Sequence, residues 1–95
     1  MKVPNLLSEV PRTNRPPPEI TYLDRDDAAV ELFAAAMRRK LAKKRAEGRG
    51  GWHDKATCSN EYLSKLLREH VEKGDPIDVA NFAMMIHQRG ERILP

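Results

Sequence analysis

Along the middle of the chain, Val30, Phe33, Met37 and Leu41 recur at three- and four-residue spacing, the period of one side of an α-helix. Ala34, Ala35 and Ala36 lie between them and add high helix propensity. Asp24, Asp26 and Asp27 precede the run and offer capping oxygens and negative charge to a helix N-terminus. Gly48 follows it. The spacing predicts a first helix from about Asp27 to Glu47. A second is predicted over Ser59 to Lys73, with Ser59 as the cap, Glu61 in the first turn, Tyr62, Leu63, Leu66, Leu67 and Val71 on one side, and Gly74 as the stop. The third has the clearest start in the chain. Asp75 caps, Pro76 takes the first helical position and Asp78 adds charge. Val79, Phe82, Ala83 and Ile86 form its apolar stripe with Met85 beside it, and Gly90 ends it. No strand-like alternation of apolar and polar residues appears. The expected fold is therefore all-α, a short bundle of about three helices.

Residues 1–25 read differently from residues 26–95. Five of the seven prolines, Pro4, Pro11, Pro16, Pro17 and Pro18, fall in the first segment. Proline removes a backbone donor and restricts the residue before it, so an extended arm is expected there. Leu6, Leu7, Ile20, Tyr22 and Leu23 could pack against a neighbour. The helical domain is expected to span 26–95. A core drawn from so few residues is small, so assembly into a homo-oligomer is expected. A single cysteine, Cys58, excludes an intramolecular disulfide. No apolar run approaches the roughly 20 residues of a membrane span, and the opening residues carry no secretory pattern. The expected location is the cytoplasm of a host cell, with no membrane partner.

Charge changes this picture more than composition does. The chain carries a formal +3. Between Arg38 and Lys55, however, eight cations face only Glu47 and Asp54, so the remainder of the chain is net acidic. Such a concentration suggests an anionic partner. Three glycines in four positions, Gly48, Gly50 and Gly51, interrupt the segment, and Trp52 and His53 follow. Arginine forks suit phosphate oxygens, glycine lets backbone N–H groups approach an anion, and an indole can stack on a base. The candidate ligand is thus a nucleotide-like anionic small molecule. Arg39, Arg45, Arg49 and Lys55 would neutralise phosphate, Gly50 and Gly51 would donate backbone N–H groups, Trp52 would stack, and His53 would add a hydrogen bond. Asn81 and Met84 would line the pocket from the third helix. The alternative for Trp52 is a place in the core, where a lone tryptophan of a small helical domain more often lies because its burial brings large apolar stabilisation. The segment is not a P-loop, because no Gly-Lys-Ser or Gly-Lys-Thr follows. His53, Cys58, His70 and His87 lack zinc-site spacing, so neither metal nor cofactor is expected.

Two resemblances add to the residues. Glu69 and Glu72, followed by Asp78-Val79-Ala80-Asn81, resemble the E-x-x-E and E-x-x-D motifs of MazG-type nucleotide pyrophosphohydrolases, with Asn81 replacing an acid and a shorter connection. That likeness implies magnesium held by those carboxylates. Lys40-Leu41-Ala42-Lys43-Lys44-Arg45, Gly48-Arg49-Gly50-Gly51-Trp52, Leu66-Leu67-Arg68-Glu69-His70-Val71 and Asp78-Val79-Ala80-Asn81-Phe82-Ala83-Met84-Met85 resemble a C-terminal module of small accessory proteins of tailed bacteriophages. The likeness covers about residues 37–92. It implies a non-catalytic protein that sequesters a nucleotide-derived signal of host antiviral defence. A basic nucleic-acid-binding module, the pyrophosphohydrolase, and a protein inhibitor of a host enzyme are the rival expectations.

Overall fold

The computed structural model describes residues 22–95. Among these the chain forms three helices, α1 (Tyr22–Ala46), α2 (Asn60–Lys73) and α3 (Pro76–Gln88), and no strand. The expected all-α fold is what the structure has. The proline-rich arm falls on residues 1–21, outside the described residues, apart from Tyr22 to Arg25, which are helical. α1 thus begins five residues earlier than the aspartates suggest. Carboxylates are favourable throughout the first turns of a helix, where its dipole is positive, so Asp24, Asp26 and Asp27 continue the helix instead of capping it. The chain divides within α1 into two compact units, one ending at Glu31 and one covering Leu32–Pro95. The second unit contains the apolar core and the glycine loop.

Local signals set the helix ends. Ser59 Oγ accepts from the Tyr62 N–H at 3.1 Å, and Asp75 Oδ1 accepts from the Ile77 N–H at 3.0 Å and the Asp78 N–H at 3.4 Å. All three helices close alike. The N–H groups of Arg49, Asp75 and Glu91 reach back five residues to the carbonyls of Lys44, His70 and Ile86. In each case the preceding glycine has φ between 71° and 86°, the left-handed conformation that a Cβ disfavours.

α2 and α3 form the one closely packed helix pair. Their shared core is Leu63, Leu67, Met85 and Ile86, with Leu41, Trp52, Val79, Phe82 and Met84 against its edges. Four buried apolar side chains make a thin core, and polar contacts extend it. Ser64, 2% exposed, donates to Asn60 Oδ1 at 2.8 Å and accepts from the Leu94 N–H at 2.9 Å. Asn60 in turn donates to the Arg92 carbonyl at 3.0 Å. The segment after α3 is thereby pinned across α2.

α1 joins the pair through polar groups and Leu41. Lys40 Nζ lies 3.1 Å from both Asp75 Oδ2 and Asp78 Oδ1 at the start of α3. Buried Asn81 donates to the Met37 carbonyl at 3.3 Å. On the other side of Asp78, His70 Nε2 stands 3.8 Å from its second oxygen. The His70 ring donates Nδ1–H to the Leu66 carbonyl at 2.8 Å and packs on Phe82, with centroids 5.0 Å apart.

Truncating Leu63 or Ile86 to alanine should cost about 2–5 kcal/mol, read as a lowered denaturation midpoint; a change near zero would mean that this core does not hold the fold. The bridge also sets a pH dependence. The hydrogen bond from Lys40 holds the Asp75 carboxyl below its ordinary range, and bonds to Asp78 and Asp75 raise Lys40 above the ordinary lysine value. A carboxyl depressed in the folded state stabilises above its unfolded value and loses that contribution as pH falls through the folded one; a raised lysine keeps its share until pH rises past its folded value. Asp75→Asn retains a capping oxygen and removes the charge. Its thermal midpoint should fall less steeply than the wild-type midpoint on acidification, and parallel acid limbs would contradict this assignment.

Candidate functional site

The glycine loop between α1 and α2 is fixed from a distance. Arg89, the residue after α3, has a side chain only 4% exposed. Its Nη1 donates to the Trp52 carbonyl at 2.6 Å and to the Cys58 carbonyl at 2.8 Å. Nε and Nη2 donate to the two oxygens of Glu91 at 2.9 and 3.3 Å. The guanidinium therefore uses four of its five donors, two on the loop backbone and two in a bidentate carboxylate pair. Lys55 closes the set, with Nζ 3.4 Å from Glu91 Oε2. Arg89, and secondarily Lys55, hold the Glu91 carboxyl below its usual range. Within the loop, Asp54 caps a turn by accepting from the Ala56 N–H at 2.9 Å, and Gly51 takes φ 82°.

The expected site residues fall into three groups. Trp52 is half-buried and packs against the core, so part of its indole serves the fold. His53 is exposed and meets that ring edge-on, with centroids 5.9 Å apart. Gly50 is exposed and Gly51 half-buried beside them. Arg49 and Lys55 are exposed but have carboxylate neighbours, Glu47 at 3.9 Å and Glu91. Arg39 and Arg45 lie exposed on α1 and make no ion pair among the described residues. Asn81 and Met84 belong to the interior. Asn81 is 4% exposed and committed to Met37, with its amide oxygen unpartnered among the described residues, while Met84 packs against the core.

The cation-rich segment is thus sorted by partner. Lys40 turns inward to α3 and Lys55 to Glu91. Arg38, Arg39, Lys43, Lys44 and Arg45 are without ion-pair partners among the described residues. From Arg38 to Arg45 they cover about 10 Å of helix axis. Two hollows lie elsewhere. One, of about 280 Å³, is lined by Glu61, Ser64, Lys65, Arg68, Glu69, Leu94 and Pro95. The other, of about 460 Å³, is a shallow depression around Val71, Pro76 and Val79.

The acidic residues are similarly dispersed. Glu69 pairs with Lys65 at 3.8 Å, Glu72 is exposed, Asp78 is engaged by Lys40, and Asn81 faces Met37. Among the described residues no three His, Cys, Asp or Glu side chains converge as metal ligands would.

Sequence reasoning missed Arg89, Glu91 and the inward turn of Lys40. The available signal was modest: an arginine at the end of a helix, just before its terminal glycine, with an acid two residues on. Arg89→Ala should leave two loop carbonyls without their donor and Glu91 with Lys55 alone, and cost about 3 kcal/mol, as removal of one member of a buried pair does. The emission of Trp52, the single tryptophan, should shift to the red in that variant and less so in Arg89→Lys. Unchanged emission and stability would show that the loop holds itself.

The chain matches no protein-family model, and neither a curated protein nor a solved structure matches it.

Proposed function

We propose that this protein is a non-catalytic binding protein whose α1 cations contact the phosphate backbone of a nucleic acid. The observation that carries this reading is the row Arg38, Arg39, Lys43 and Arg45, all exposed and without ion-pair partners among the described residues. A convex helix surface away from the hollows suits an extended polyanion better than a small molecule that must be enclosed. Backbone neutralisation of this kind needs no base reader and releases condensed counterions.

A labelled single-stranded oligonucleotide should bind at low salt, with affinity falling linearly on a logarithmic salt axis. Each lost contact should reduce that slope by about 0.7. Arg38→Ala with Arg39→Ala, and Lys43→Ala with Arg45→Ala, should therefore each flatten it by about 1.4. No binding at low salt, or slopes indifferent to these changes, would dispose of the reading.

A second reading keeps the small-molecule ligand and the phage counter-defence role that the resemblance implies. It is favoured by one observation, the exposed His53 edge against half-buried Trp52 beside Gly50 and Gly51. Under it, cyclic dinucleotides or cyclic ADP-ribose products would quench Trp52 emission at micromolar concentration. Assembly of subunits would then have to complete the enclosure.

A further inference from the structure

The exposed cations of α1 form two rows. Arg38 and Arg45 stand seven residues apart and Arg39 and Lys43 four, so each pair stays within about 40° around the helix axis. The two rows are about 130° apart. Ala42 and Ala46 lie between them, on the side turned away from Lys40, which meets α3, and from Leu41, which meets the core. The four cations and both alanines are exposed, and these cations make no ion pair among the described residues. The arrangement lies within one helix and within the Leu32–Pro95 unit, so helical geometry alone fixes it.

We infer that the partner is a DNA duplex and that this side of α1 enters its major groove, with one row of cations on each bordering strand. The inference rests on the nucleic-acid reading and adds the form of the nucleic acid. A helix with its side chains is about 10–12 Å across, and the major groove of B-form DNA is about 12 Å wide. Phosphates line both lips of that groove, so two rows of cations splayed to either side are met at once. The small alanine side chains between the rows let the helix sink toward the base edges. A single strand has one line of phosphates and must wrap round the helix to reach both rows, losing freedom as it does so. An A-form RNA duplex has a deep, narrow major groove that side chains do not read. Contacts to phosphate fix position and carry no sequence information, and an alanine methyl touches at most the methyl group of thymine. Binding is therefore selective for the form of the duplex and nearly indifferent to its sequence.

Fluorescence anisotropy tests this with the full chain and three labelled probes: a DNA duplex of mixed sequence, one of its single strands, and an RNA duplex of the same sequence. At low salt the DNA duplex should bind at least about tenfold more tightly than either of the others. The RNA probe separates groove shape from charge density, because both duplexes are polyanions of two strands. Arg38→Ala with Arg45→Ala removes one row, and Arg39→Ala with Lys43→Ala removes the other; each should flatten the salt slope on duplex DNA by about 1.8. Circular dichroism of each variant shows whether α1 is retained. Bound wild type should also protect guanine N7, which faces the major groove, from methylation by dimethyl sulfate. An RNA duplex or single strand bound as tightly as duplex DNA overturns the inference and leaves the nucleic-acid reading standing. So does a folded row variant with the wild-type slope, or an unprotected N7. Absence of binding to all three probes at low salt overturns both.

Discussion

One buried cation holds the Leu32–Pro95 unit in its observed form. Arg89 bonds two carbonyls of the glycine loop and both oxygens of Glu91 from a position almost without access to water. A guanidinium in such a place is costly to desolvate unless its donors are satisfied. Here four of them are, and the two backbone bonds determine where Trp52 and Cys58 lie. The indole then supplies apolar area at the margin of a core with four buried apolar residues among those described. Loop, core edge and the segment after α3 are therefore one arrangement.

A second division of labour runs through the basic segment. Lys40 and Lys55 are bound to carboxylates on α3 and just beyond it, and these pairs tie α1 and the loop to the helix pair. Arg38, Arg39, Lys43, Lys44 and Arg45 make no ion pair among the described residues. Net charge of the segment overstates what is available for binding, because a structural lysine and a ligand-binding lysine look identical in a charge count. Asp78 illustrates the converse. Flanked by Lys40 and His70, it is an acid whose surroundings are already supplied by the fold.

The features legible in the sequence were those set by neighbours along the chain. Ser59, Asp75, Pro76, Gly74 and Gly90 mark helix ends through bonds spanning five residues or fewer, and each residue type has one dominant reason to be there. The apolar stripes followed in part: Leu63, Leu67, Met85 and Ile86 are buried as expected, whereas Tyr62 and Val71 of the expected α2 stripe are exposed. The start of α1 was less legible because aspartates suit both a cap and a first turn. Trp52 was ambiguous because its size serves a core or a binding surface, and the structure uses it at the boundary. Lys40 and Arg89 were hidden, since their partners lie tens of residues away and nothing local distinguishes them from cations in water.

That separation bears on how the protein is made. Trp52 and Arg89 are 37 residues apart, and a ribosome delivers the tryptophan first. Closing a flexible segment of that length costs about 3 kcal/mol of chain entropy, so the nascent loop gains nothing by waiting in its final shape. Pairing of α2 with α3 removes most of that cost by bringing the end of one helix back beside the start of the other. The glycine segment therefore cannot take up its Arg89 anchor before α3 has been made and has paired with α2.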